Sequence, residues 1–310
     1  MASPPGIVDT HHHLWDPSAP YHAWLHEDQL WASEDEMARL RRSFTVADLE
    51  PEARAAGVTS TVVVQTAAEP GETPELLSSA VAHDLIGAVV GWVDLASPGA
   101  GDALAALRDL PGGGYLAGIR HPVLAETDTQ WLARPEVLRG LAAVADAGLV
   151  YDIVCLPSHL PAAVTAVTAL PGLTFVLDHL GNPDADPDGD GPWAKAIREL
   201  GALPNTVCKL SGVLSAAFPA GPATTPANRS AVGIDPLIRR YYEVSVEAFG
   251  PDRLMFGSDW PPCTLSSPYR DVVAAAKLLT AELSTAEQAA VFAATACRTY
   301  GLPRKTGQAG

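Results

Sequence analysis

Short apolar, β-branched runs recur along the chain, separated by stretches whose apolar residues return every three or four positions. The runs are GIVDTHHH (6–13), VTSTVVVQ (58–65), IGAVVGWVDL (86–95), GYLAGIRHPV (114–123), LVYDIVCL (149–156), LTFVLDHLG (173–181), NTVCKLSG (205–212) and RLMFGSDWP (253–261). The intervening segments, such as TPELLSSAVAHDL and RPEVLRGLAAVADAG, have helical spacing, and several end near Gly or Pro. Strands that are apolar almost throughout are buried on both faces, as in a parallel sheet. Eight such βα units predict an α/β fold, a closed (β/α)8 TIM barrel. An open doubly wound sheet is the competing architecture, but no Gly-rich dinucleotide fingerprint follows the first strand.

The 310 residues are 47% hydrophobic, enough for a full core, and barrels of this length fold as one unit. One domain over 1–310 is therefore expected, with its core at about 6–302. Lys and Arg number 20 against 36 Asp and Glu, a net charge of -16, which disfavours nucleic acid and anionic membrane as partners. The partner expected is a small-molecule substrate, and a homo-oligomer stays open. Cys155, Cys208, Cys263 and Cys297 form no CxxC pair and read as reduced thiols. With no signal-peptide pattern and no membrane-length apolar run, the expected location is cytoplasmic.

Two connections exceed plain turns: 14–44, with Trp15, Trp24 and Trp31, and 213–233. Both leave C-terminal strand ends, where barrel enzymes keep their active sites, and read as lids or pocket walls. The acidic NPDADPDGDGP (182–192) lacks calcium-loop spacing and reads as a solvated loop.

Polar residues interrupt the apolar runs at these strand ends. Strand alternation puts Asp9, His11 and His13 on one face and His12 on the other. Two adjacent buried imidazoles need a metal, an anion or good hydrogen-bond partners. His179 in LDHLG, Asp259 in FGSDWP and Arg120 in AGIR end other strands, so a barrel brings them together. Lys209 is either a site residue or the ion-pair partner of Asp178 or Asp152. Tyr151 and Asp152 read as pocket wall or as residues just behind it, and the first-loop tryptophans, Trp24 among them, as stacking faces for a ring or as core filler.

In order, DTHHHLW, GWVDL, GIRHPV, LDHLG, CKLSG and FGSDWP resemble the amidohydrolase superfamily. More narrowly they resemble its amidohydrolase-2 branch, which holds L-fuconolactonase-like, L-rhamnonolactonase-like and 2-pyrone-4,6-dicarboxylate lactonase-like hydrolases. The resemblance implies a barrel hydrolase with His11, His13, His179 and Asp259 at the mouth. It implies Asp259 as the base and Arg120 as a substrate-binding residue; Trp24, Tyr151 and Lys209 join the expected substrate-binding set from their own positions in the chain. The same His11, His13, His179 and Asp259 would hold a metal. A binuclear centre would want Lys or Glu at the end of strand four and His at the end of strand five. Arg120 and VYDIVCL stand there instead, and His159 falls in the following helix. At most one divalent ion is thus expected, with zinc the choice for imidazole donors, and a metal-free mechanism stays open. The implied reaction is opening of a sugar-derived lactone. Other branch chemistry (non-sugar lactone or amide hydrolysis, metal-dependent decarboxylation) and a non-catalytic binding barrel are the alternatives.

Overall fold

The computed structural model describes residues 6–29, 31–184, 190–212 and 234–302. Eight strands follow one another in chain order: β1 (Ile7–His12), β2 (Val58–Val64), β3 (Ile86–Gly91), β4 (Leu116–Pro122), β5 (Val150–Val154), β6 (Phe175–Leu177), β7 (Thr206–Leu210) and β8 (Leu254–Phe256). Each pairs in parallel with the next. A parallel bridge between His12 and Trp260 brings β1 back to the segment after β8. There His13 N donates to Trp260 O at 2.7 Å, and Asp259 N donates to His11 O at 2.8 Å. The result is the (β/α)8 TIM barrel that the strand pattern predicts.

Alternation along the strands sorts the core into two layers. Val8, Val62, Val64, Ala88, Val90, Val150, Val176, Val207 and Met255 fill the barrel interior with Tyr300 and Leu302. Their neighbours Ile7, Val63, Val89, Tyr151, Phe175, Cys208 and Leu254 pack in the larger cluster with the helices. Residue 151 marks a departure from the sequence reading: Tyr151 is fully buried in the helix-facing layer, edge-on to Phe175, rather than in a pocket wall. Its strand neighbour Val150 points inward, so Tyr151 must point outward.

The sixth and eighth runs form only three strand residues each. The chain breaks away where His179 (φ 54°), Leu180 (φ 54°) and Asp259 (φ 59°) take left-handed backbone conformations. Such values are uncommon outside glycine, and they concentrate where surrounding structure over-determines the chain, often at functional sites.

The 14–44 connection holds a short turn at Pro20–His26, a helix at Glu34–Leu40 and a bridge between Trp15 and Phe44. Trp15 is core, its indole donating to Leu40 O and Arg42 O. Of the two stretches read as loops, 213–233 and residues 185–189 of 182–192 lie outside the described residues. Among the described residues, no helix is long and apolar enough to cross a membrane.

Candidate active site

β1 is not regular: its pairing register with β2 shifts between Asp9 and His12. Val8 faces the interior and Asp9 faces outward, yet His11 faces inward again. The expectation that Asp9 shares a face with His11 and His13 is therefore corrected by this irregularity. Asp9 is buried between strand ends, accepting from His11 N (3.2 Å), Ser258 N (2.8 Å) and Tyr269 Oη (2.8 Å). It ties the backbone of His11 to the residue preceding Asp259. His12 turns outward as expected, its Nε2 2.9 Å from Thr61 Oγ1. Burial, with His13 beside it, lowers the His12 pKa to about 3, so the ring is a neutral structural group.

The inward residues converge. His11 Nε2 and His13 Nε2 are 3.2 Å apart. Asp259 Oδ1 lies 3.6 Å from His13 Nε2 and 3.9 Å from His11 Nε2. The His179 ring centroid is 4.5 Å from that of His11, and its Nδ1 is 2.9 Å from Ser211 Oγ. Arg120 Nη1 is 3.3 Å from His11 Nε2 and 3.3 Å from Asp178 Oδ2. Lys209 is fully buried, its Nζ 2.5 Å from Asp152 Oδ2 and 3.0 Å from Asp178 Oδ1. The ion-pair reading of Lys209 thus holds with both aspartates. The structure brings together His11, His13, His179, Asp259, Arg120 and Lys209, and leaves Tyr151 out.

Two glycines let the strand ends approach this closely. A Cβ on Gly257 would sit 2.7 Å from His11 Cβ, and one on Gly212 (φ 70°) would sit 2.8 Å from His179 Cγ.

Trp24 stands half-buried at the rim, edge-on to Trp15, with its indole donating to Thr66 Oγ1 at 3.2 Å. Thr66 is held by Glu72, which accepts from Thr66 N, Thr66 Oγ1 (2.6 Å) and Ala67 N (2.8 Å). His22, 3.2 Å from the same carboxylate, fastens the first loop to this corner. His159 lies in the turn before the helix Leu160–Ala169, not inside that helix, and its Nε2 is 3.1 Å from Glu126 O.

Sequence reasoning missed Gln65. It ends the apolar run VVVQ, the same signal that exposed Arg120. Its Nε2 donates to Arg120 O at 2.9 Å, and both Gln65 carbonyl oxygens face Arg120 Nη2. Arg120 Nε is buried with no hydrogen-bond partner. A buried guanidinium N–H without a partner is unusual and leaves a spare donor at this strand end.

Electrostatics divides the roles. Burial pushes Asp259 up, but the His179, His13 and His11 rings set against it outweigh burial and hold the carboxyl well below the usual range. Asp259 is therefore ionised at neutral pH. Burial lowers both His11 and His179, against the pull of Asp178 on the first and Asp259 on the second. Neutral imidazoles beside an ionised carboxylate can ligate a cation or exchange a proton.

The donor set fits one divalent metal. Zinc–nitrogen bonds of ~2.0–2.1 Å in a tetrahedral shell place donor atoms roughly 3.3 Å apart. His11, His13 and Asp259 present their donors at 3.2, 3.6 and 3.9 Å. His13 Nδ1 is 2.7 Å from Val64 O, which can only accept. Nδ1 therefore carries the proton and Nε2 is left as the ligating atom, the usual outer support of a metal-bound histidine. A second group, His11, Asp178 and His179, also converges. It already faces the Lys209 ammonium, a cation that competes with an ion there.

A family model described as Amidohydrolase (Amidohydro_2) matches residues 8–302. The chain belongs to this amidohydrolase family and is an enzyme of it. An L-fucono-1,5-lactonase of Burkholderia multivorans is 33% identical over 304 residues, covering 96% of each chain. An L-fucono-1,5-lactonase of Burkholderia ambifaria is 31% identical over 304 residues, covering 97% of each. Among solved structures, an amidohydrolase from Burkholderia multivorans with bound zinc is 32% identical, with a TM-score of 0.81 over 96% of this chain and 99% of that one.

Arg120→Lys should lower kcat/KM on the best substrate although the charge is kept. An ammonium reproduces neither the fork nor the free Nε–H donor. Steady-state kinetics of the two proteins side by side checks this, and equal values would reduce Arg120 to a structural ion pair.

Proposed function

We propose that this enzyme opens a sugar-derived lactone to the aldonic acid, at the C-terminal mouth of the barrel. The observation that carries the reading is the ionised Asp259 carboxylate set against His11, His13, His179 and Arg120 at adjoining strand ends. Full-length likeness to two L-fucono-1,5-lactonases supports the cyclic ester as substrate class.

Asp259 accepts a proton from water as its oxygen attacks the lactone carbonyl carbon. Arg120, with its free Nε–H, stabilises the negative charge that develops on the carbonyl oxygen. As the tetrahedral carbon collapses, the bond to the ring oxygen breaks. That oxygen takes up a proton, from Asp259 or through His179, and leaves as the new hydroxyl. Trp24 offers its indole face at the rim to the apolar side of the sugar ring. His11, His13 and Asp259 are the residues that would hold a divalent metal, with zinc the ion their chemistry favours and His179 beside them. When bound there, the ion supplies Lewis-acid polarisation of a substrate oxygen. Lys209 takes part from beneath the pocket, through His11, rather than by touching substrate.

The test is a lactone panel read by proton release, with sugar 1,4- and 1,5-lactones, non-sugar lactones and amides, each run with and without chelator. Turnover concentrated on sugar lactones is the expected result. Turnover only of non-sugar lactones or amides, or of nothing in the panel, would overturn the reading. The chelator arm decides the metal separately.

A further inference from the structure

Lys209 is an expensive residue to bury, and its surroundings show more than charge balance. Its ammonium has three N–H donors and three acceptors within reach: Asp152 Oδ2 (2.5 Å), Asp178 Oδ1 (3.0 Å) and His11 Nδ1 (3.3 Å). The Tyr300 ring lies beneath it at 5.4 Å, and Tyr300 Oη donates to Asp152. All three donors are used only if His11 Nδ1 carries a lone pair.

The other side of His11 leads to the same assignment. His13 Nδ1 must donate to Val64 O, so His13 Nε2 is a lone pair. It faces His11 Nε2 at 3.2 Å. Two lone pairs at that distance repel, and a proton on His11 Nε2 turns the contact into a hydrogen bond. Arg120 Nη1 then donates to Asp178 Oδ2 and not to His11. One chain then links the three side chains without a clash: Lys209 to His11, His11 to His13, His13 to Val64.

Building on the metal-site reading above, we propose that Lys209 is a built-in cation that fixes His11 in the Nε2–H tautomer and thereby sets how tightly the site takes a metal. A metal on His11 Nε2 needs the opposite tautomer. The proton must then sit on Nδ1, where Asp178 Oδ1 at 3.4 Å can accept it and Lys209 must give up its third bond. Lys209 is a positioning residue: it reaches the substrate site only through the His11 ring. It also supplies charge. Lys209 and Arg120 stand against Asp152 and Asp178, with Asp259 across the His11 ring, and removing one cation from this buried set makes an arriving dication more welcome.

Nitrogen NMR of the protein labelled at histidine nitrogen reads the tautomer directly, with His11 assigned by comparison with His11→Gln. The metal-free wild type should show His11 protonated at Nε2, and zinc should move the proton to Nδ1. In Lys209→Met, zinc affinity, measured by competition with a chromogenic chelator, should rise by at least about tenfold. A metal-free wild type protonated at Nδ1 overturns the proposal, as does a folded Lys209→Met protein with unchanged or weaker zinc affinity. If that variant does not fold, the wild-type spectra decide alone. Zinc bound by neither folded protein overturns the metal-site reading instead, and the metal-free spectrum still decides the tautomer assignment.

Discussion

Asp259→Asn should lower kcat on the best lactone by about 10²–10⁴-fold, the usual cost of losing a general base. The loss would be larger if the carboxylate also holds an ion. The substitution is a clean one because of where the residue sits. Its backbone is left-handed at φ 59°, a conformation that Asn tolerates at least as well as Asp. Asn is also the same size as Asp, so it can occupy the same place beside His13 and His11. The folded state should survive, and a thermal melt run beside the kinetics checks that. The wild-type pH profile carries a second signature. A base works only when deprotonated, and the histidines hold Asp259 below the ordinary carboxylate range. The acid limb of kcat/KM assigned to this group should therefore fall below pH about 4, the unperturbed Asp value. Wild-type turnover in a folded Asn variant would take Asp259 out of the mechanism.

The parts of this site that the sequence displayed are those where a polar residue interrupts an apolar run. His11, His13, Arg120, His179, Lys209 and Asp259 all stand out that way, because a strand buried on both faces tolerates polarity only at its ends or at a cost. Gln65 carries the same signal and is weaker only for lacking a charge. Asp9 marks where a strict period of two runs out, whereas Tyr151 obeys it, because Tyr151 and Asp152 are adjacent in β5 and cannot both face inward. A register shift in β1 turned Asp9 away from His11, and the inward residue in β5 is Val150, so Tyr151 belongs to the helix layer. Pairing register depends on the neighbouring strand, and no single run contains that information. The helix-spaced segments were legible for the converse reason, since each needs only its own periodicity. Ser211 and Gly212 show the remaining gap: they matter because they touch His179, a relation between two strand ends that only the closed barrel creates.

Asp178 is the residue whose loss should cost most in stability. It is fully buried and touches three partners: Lys209 Nζ at 3.0 Å, Arg120 Nη1 at 3.3 Å and His11 Nδ1 at 3.4 Å. Removing one member of a buried ion network leaves the others desolvated without compensation, at a cost of about 3–5 kcal/mol. Lys209 keeps Asp152, and Arg120 keeps the Gln65 carbonyls, so Asp178→Asn should fall near 3 kcal/mol, the lower end of that range. Chemical unfolding of the two proteins at neutral pH measures it. The pH dependence tells this electrostatic origin from a packing defect. Burial raises the Asp178 carboxyl, but the Lys209 ammonium first and the Arg120 guanidinium with it hold it well below its ordinary 3.8. A carboxylate with a depressed folded pKa stabilises fully above its unfolded value and loses that stabilisation as pH falls through the folded one. The stability gap between wild type and Asp178→Asn should therefore be constant above pH about 5 and narrow steadily in acid. A gap that stays the same down to the acid-unfolding region would mean that the Asn side chain disturbs packing, and that the network contributes little. A gap that closes in acid, together with lost turnover at neutral pH, would mean that the charge beneath His11 holds both the barrel mouth and its chemistry in place.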